Sequence, residues 1–344
     1  MAHIRAVATA VPPHLLEQGT AEALARAAFA GRVDRFERLA PAYRNAGVAT
    51  RSASVPDEWF LAPQGWASRG RAFVPVATDL LATAAADCLR RAGVEAAAVD
   101  AVVCVCSTGI ATPTLDAHVA GRIGLRPDIV RLPIFGLGCA GGVLGLARAA
   151  DLADAGPGRR VLLLLVELCS LAFRRADASV CNVIATTLFG DGAAAVLLEP
   201  GEGPGRIVAT GEHLWPATLD VMGWTVEDDG LGVVFSREIP YLAATRLRPA
   251  ADRFLARHDM TLDGIAHLVC HPGGAKVVDA LAVAFDRPPA GFAAERAVLR
   301  RFGNMSSATI WFVLAERLAQ GLSGRTLMSA LGPGFTAGFA VVDW

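Results

Sequence analysis

Phe135-Gly-Leu-Gly-Cys-Ala-Gly141 in the first half of the chain and Phe302-Gly-Asn-Met-Ser-Ser-Ala308 in the second are two versions of one element. Each opens a run rich in Ala and Leu, ending near Ala155-Gly156 and Gln320-Gly321, and each is followed by an apolar stretch, Arg160 to Glu167 and Arg325 to Leu331. The likeness extends in both directions. Upstream, Val99-Asp-Ala-Val-Val-Cys-Val-Cys-Ser-Thr-Gly109 matches Leu262-Asp-Gly-Ile-Ala-His-Leu-Val-Cys-His-Pro-Gly273: an acidic turn, a buried strand, a polar loop. Downstream, Gly190-Asp-Gly-Ala-Ala-Ala-Val-Leu-Leu198 echoes Gly334-Phe-Thr-Ala-Gly-Phe-Ala-Val-Val342.

Strands alternating with helical runs point to α/β architecture, with parallel sheets covered by helices. Two such halves in one chain imply pseudo-two-fold packing, with facing loops forming a single site. The strongest turn cluster, Pro200-Gly-Glu-Gly-Pro-Gly205, sets the division into residues 1–200 and 201–344. Val33 to Phe73 has little regular period and reads as surface loops and short helices over one edge of the core.

The 344 residues, 53% hydrophobic, can bury a large core. A formal net charge of −1, spread along the chain, gives no general electrostatic case for nucleic acid or an anionic membrane. The longest strongly apolar stretch, Val161 to Val166, stops at Glu167, so no membrane span is expected, and the N-terminus does not read as an export signal. The expected location is the cytoplasm. The seven cysteines there are reduced thiols, and neither a CxxC pair nor zinc spacing suggests a metal. Lys276, the only lysine, is the sole Schiff-base candidate and has no supporting motif.

Three residues suggest chemistry. Cys139 lies in Gly136-Leu-Gly-Cys-Ala-Gly-Gly142, where glycines permit a tight strand-to-helix turn and a helix N-terminus favours a thiolate. Alone, it reads as a small buried cysteine where a helix packs on a sheet. His271 follows a strand and precedes Pro272-Gly-Gly274, at the strand end where ligand sites gather. Asn304 occupies the turn that the repeat sets opposite Cys139; alone it reads as a helix N-cap. On matching loop ends the three can converge. A Cys–His pair supplies an activated thiolate, and His and Asn donors can hold a thioester carbonyl as it becomes an oxyanion or enolate. Thioester exchange and carbon–carbon condensation are the chemistry indicated.

Gly138-Cys-Ala-Gly-Gly142, Leu188-Phe-Gly-Asp-Gly-Ala-Ala-Ala195, His271-Pro-Gly-Gly274, Gly303-Asn-Met-Ser-Ser307 and Gly332-Pro-Gly334, in this order, resemble the thiolase superfamily, and within it the chalcone-synthase-like type III polyketide synthases. The resemblance covers nearly the whole chain. It implies a thiolase-like fold of two αβαβα-type halves, a homodimer, acyl-CoA and malonyl-CoA as substrates, and no metal or redox cofactor. Cys139 would hold the growing chain, His271 would keep Cys139 ionised, and Asn304 would orient malonyl-CoA and stabilise its enolate.

The same resemblance makes Phe189 a gatekeeper between CoA tunnel and cavity, with the second gatekeeping phenylalanine falling on Val233. Smaller Val233 and the Met222-Gly-Trp224 stretch, similar to bacterial alkylresorcinol and alkylpyrone synthases, imply a cavity open to an aliphatic, even long-chain, starter and a pyrone or resorcinol product. Trp224 and Ser306 join the substrate-contacting set. Thr112 matches the position that crosses the dimer interface. Arg35 and Arg38 match two CoA-phosphate contacts, with Gly273 and Gly274 beside them; the third basic position falls on Ala42, where Arg44 could substitute. Two alternatives remain open: a carrier-protein-dependent ketoacyl synthase, and a catalytically silent scaffold subunit.

Overall fold

A computed structural model describes residues 1–29 and 33–344. The strands are β1 (Ala2–Ala10), β2 (His14–Glu17), β3 (Thr50–Ala53), β4 (Ala101–Val105), β5 (Val130–Ile134), β6 (Val161–Leu168), β7 (Asp191–Pro200), β8 (Arg206–Leu214), β9 (Met222–Glu227), β10 (Gly230–Phe235), β11 (His267–Cys270), β12 (Arg325–Gly332) and β13 (Thr336–Asp343). Nine form one sheet in the order β11-β12-β13-β8-β1-β7-β6-β4-β5. β2 pairs with β3, and β9 with β10.

The sequence repeat is visible in this order. The run β4-β6-β7-β1 has the same pairing directions as β11-β12-β13-β8: the first pair parallel, the next two antiparallel. The halves meet where β1 pairs with β8 at His3 and Arg206. Each half-sheet is therefore mixed rather than parallel. For β12 and β13 the cause is the three-residue link from Pro333 to Phe335, since a parallel return needs a crossover of a dozen or more residues.

Alternating side chains build the layers. Val103, Val105, Leu163 and Leu165 point to a central core shared with Met328, Ala340 and Val342 of the other half. Between the half-sheets lie helices Gly141–Asp154 and Thr309–Ala319, which contribute Val143, Leu146, Ile310 and Trp311 to that core. The intervening residues, such as Val102, Leu162 and Leu164, face the opposite way, onto helix Trp66–Ala92. Leu327, Phe339 and Val341 face helix Ile239–Ala256 in the same manner. The result is five layers, helix, sheet, helix, sheet, helix, each core fed by one parity of the strands.

The segment from Val33 to Phe73 holds short helices and β3, but its last residues belong to the 27-residue helix Trp66–Ala92. Pro75 inside that helix disguises its start, because proline reads as a breaker. By length and composition this helix could cross a membrane, a feature that the count of unbroken apolar residues overlooked. Here it packs on the sheet, and half of its most apolar window is buried.

Candidate active site

Cys139 sits in one turn of 3-10 helix, Gly138–Ala140, that leads directly into helix Gly141–Asp154. Gly138 has φ +47°, which favours glycine, and a Cβ there would lie 2.6 Å from Cδ of Pro333, so space requires it. A Cβ on Gly142 would lie 2.5 Å from the carbonyl oxygen of Ser307. Ser307 belongs to the twin turn, Ser306–Ala308, which leads into helix Thr309–Ala319 in the same way. Ser306 has φ +46°, the counterpart of Gly138. The structural repeat thus pairs Gly138 with Ser306, one residue out of step with the Phe-Gly match in the sequence.

The short side chain of Asn304 is fixed at both ends. Its Oδ1 accepts the Ser306 N–H at 2.8 Å, and its Nδ2 donates to the Gly273 carbonyl at 3.1 Å. Its main chain is held as well: the N–H donates to Leu188 O and the carbonyl accepts from Gly190 N–H. Sγ of Cys139 lies 4.0 Å from Oδ1 of Asn304. His271 follows β11, its main-chain N–H donating to Ser329 O at 2.9 Å. Its ring is buried, and neither Nδ1 nor Nε2 has a partner among the described residues.

Burial pushes the Cys139 thiol up to about 12, opposed by its side-chain hydrogen bonds with Ser306 and Asn304. Burial also pushes the His271 imidazole down to about 3. Neither group ionises readily by itself. Transfer of the thiol proton to the imidazole creates both charges together and leaves the site's net charge unchanged, which is the inexpensive route in a desolvated pocket. Behind them lies Glu167, fully buried and raised to about 7 by desolvation. It accepts from Ser307 Oγ at 2.6 Å, Thr108 Oγ1 at 2.9 Å and the Ser107 N–H at 3.0 Å. These contacts tie both halves of the repeat beneath the site.

Cys139, His271 and Asn304 line one cavity of about 570 Å³, with Gly273, Gly274 and Arg38 also on its wall. Phe189 and Val233 line a second, apolar cavity of about 60 Å³. The rings of Phe189 and Trp224 are 6.0 Å apart. Ser306 is buried beside Asn304, whereas Thr112 is on an exposed loop away from the Cys139 cavity. The Arg35 side chain lies outside the described residues. Arg44 is exposed and does not line the cavity; Ala42 does. Met222, from the Met222-Gly-Trp224 stretch, is on the cavity wall; sequence reasoning missed Phe235 and Arg237 there, and weighed Lys276 only as a Schiff-base candidate, although Arg237 and Lys276 are exposed cations on that wall. A cation directly after His271-Pro-Gly-Gly-Ala275 was the available signal for Lys276.

Residues 68–204 match the N-terminal domain of the chalcone and stilbene synthases, and residues 206–342 match the C-terminal domain of that family. The chain belongs to the chalcone and stilbene synthase family. It is 37% identical to a 1,3,6,8-tetrahydroxynaphthalene synthase of Streptomyces peucetius subsp. caesius, across 99% of this chain and 93% of that one. A 3,5-dihydroxyphenylacetyl-CoA synthase of Amycolatopsis balhimycina is 31% identical across 78% of this chain and 74% of its own length. The crystal structure of 1,3,6,8-tetrahydroxynaphthalene synthase from Streptomyces coelicolor A3(2), a bacterial type III polyketide synthase, superposes with a TM-score of 0.94 at 27% identity, covering 99% of each chain. The protein is a thiolase-fold type III polyketide synthase, an acyltransferase that works by decarboxylative Claisen condensation on acyl-CoA and malonyl-CoA.

Proposed function

We propose that Cys139 carries the acyl chain, with His271 as its proton acceptor and Asn304 as the donor that stabilises negative charge on oxygen. The observation that carries this reading is one cavity lined by Cys139, by Asn304 with its Nδ2 fixed on the Gly273 carbonyl, and by the His271 ring, which has no partner among the described residues. His271 takes the thiol proton as Sγ attacks the starter thioester, and CoA leaves as a thiol on receiving that proton. Malonyl-CoA then binds, its C–C bond to the carboxylate breaks, and carbon dioxide departs. The electron pair rests on the thioester oxygen as an enolate. The carbanion carbon attacks the Cys139 thioester, forming the new C–C bond and releasing the thiolate.

An amide nitrogen has two N–H groups, and only one of Asn304's is engaged by Gly273. The other is left for the enolate oxygen, held in place before the substrate arrives. Decarboxylation generates the carbanion without a strong base, so the proposed reaction uses CoA thioesters and no metal or redox cofactor. Arg38, Arg237 and Lys276 are suited to the CoA phosphates.

For the starter we favour an aliphatic acyl-CoA, with closure to a pyrone or resorcinol. Two apolar spaces near the site, the larger within the range of small-molecule pockets, support this. A second reading, a malonyl-derived naphthol, is favoured by the name of the 37% identical relative. Mass spectrometry of products formed from malonyl-CoA alone and with starters from acetyl to palmitoyl separates them. A product from malonyl-CoA alone that starters do not alter would overturn the aliphatic reading. Turnover only with an acylated carrier protein would overturn CoA dependence.

We also propose a homodimer through the sheet edge at β5. Val130, Phe135 and Ile110 are exposed there, close in sequence to Thr112, and an exposed apolar edge strand calls for cover. A monomer by light scattering at micromolar concentration would refute it.

A further inference from the structure

The β9–β10 hairpin shows one face to the site, and strand parity decides what that face does. Its antiparallel register sets Trp224 opposite Val233 and Met222 opposite Phe235. Residues directly opposite, or two apart on one strand, share a face, so these four side chains form one patch in two ranks about 7 Å apart. The ranks face different spaces. Met222 and Phe235 line the cavity that holds Cys139. Val233 lines the small apolar chamber, whose walls include Phe60, Phe173 and Cys169.

Phe189 stands between them. Its ring centroid is 5.6 Å from that of Phe235 and 6.0 Å from that of Trp224, with interplanar angles of 48° and 46°. Phe189 lines the chamber, Phe235 lines the catalytic cavity, and their contact is the partition. Phe189 is braced from behind: the buried guanidinium of Arg51 donates to its carbonyl at 3.0 Å and to the Thr186 carbonyl at 2.7 Å. Phe235, the last residue of β10, pairs with Met222, and its carbonyl accepts from Cys181 Sγ at 3.5 Å.

We propose that Phe235, rather than Val233, is the specificity-determining side chain for starter length. Together with Phe189 it closes the catalytic cavity from the chamber, and its displacement admits the tail of an aliphatic acyl group. Val233 is on the far side of this partition and limits how deep a tail can go, not whether it enters. Each methylene moved from water into such a chamber is worth about a fourfold gain in transfer. Opening the partition therefore favours starters longer than acetyl, by the few carbons that a chamber of about 60 Å³ can take. The inference rests on Cys139 as the acyl-bearing residue.

The test compares the unaltered enzyme with Phe235→Ala, Phe235→Leu and Val233→Phe. Acyl adducts are followed by intact mass, and kcat/KM is measured for CoA esters from acetyl to palmitoyl. Phe235→Ala is expected to raise the long-chain to acetyl ratio by about tenfold or more. Phe235→Leu, which keeps an apolar plug of smaller size, should fall between. Val233→Phe, which fills the chamber behind the partition, should lower the long-chain to acetyl ratio by about tenfold. An unchanged chain-length profile in both Phe235 variants overturns the proposal, as does a long-chain to acetyl ratio that Val233→Phe leaves unchanged or raises. Absence of any adduct on the unaltered enzyme would instead remove Cys139 as the acyl carrier, and this inference with it.

Discussion

Nδ2 of Asn304 donates to the carbonyl of Gly273, two residues beyond His271, at 3.1 Å. The bond aims the second N–H of the amide, so Asn304→Asp, close to isosteric, exchanges a donor for an acceptor that faces a carbonyl oxygen. Decarboxylation of malonyl-CoA is expected to fall by about a hundredfold to a thousandfold, with a smaller loss in acylation of Cys139. Carbon dioxide release measured against acyl adduct formation checks it; equal losses in the two steps would place Asn304 in binding alone.

His271 has a sharper signature. The thiol of Cys139 and the imidazole are each driven to the neutral form by burial, so the thiolate depends on proton transfer between them. In the unaltered enzyme, alkylation of Cys139 by iodoacetamide should vary little from neutral to mildly alkaline pH. In His271→Gln the thiol stands alone with its pKa near 12, and the rate should rise about tenfold per pH unit over the same range. Parallel profiles for the two proteins would rule out the transfer.

Three exposed cations, Arg38, Arg237 and Lys276, share the cavity wall. If they bind the CoA phosphates as proposed, removing Arg237 and Lys276 together should raise KM for malonyl-CoA about tenfold and leave kcat in place, because those phosphates are distant from the bond that breaks. A short thioester that lacks the nucleotide is the control. If its KM rises equally, the cations act on something other than phosphate.

Glu167 gives the fold a pH slope. Its pKa rises from 4.5 to about 7 on burial, so between those values the folded state binds the proton that the unfolded state has released. Its contribution is full below pH 4.5 and declines as pH rises through 7, by about 3 kcal/mol. Glu295, also raised to about 7, adds a slope of the same sign. Glu167→Gln should flatten the dependence of the denaturation midpoint on pH across that interval. An unchanged slope would show that Glu167 is already ionised at the lower end.

The repeat, the glycines of the Cys139 turn and the convergence of Cys139, His271 and Asn304 could all be read in the sequence, because each is a local pattern that recurs. The mixed half-sheets were less accessible: a three-residue link between β12 and β13 settles direction, but only once the ends of both strands are known. Pro75 hid the first turns of helix Trp66–Ala92 by resembling a boundary. The division of Phe235 and Val233 between two cavities depends on hairpin register and on the position of Phe189, neither of which has a signature in composition. Lys276 and Arg237 come from separate elements and meet only in the folded chain.

The contacts of Gly142 with Ser307 and of Gly138 with Pro333 bear on how such a chain can change over generations. Duplication ordinarily frees one copy to drift while the other keeps the task. Here each copy's turn is the wall of the other's, and a single added methyl at either glycine reaches backbone or ring across the seam. The halves are bound to diversify in step. A chimaera that joins residues 1–200 of this chain to the second half of a distant cousin should therefore fail at that seam, before any question of starter or product arises.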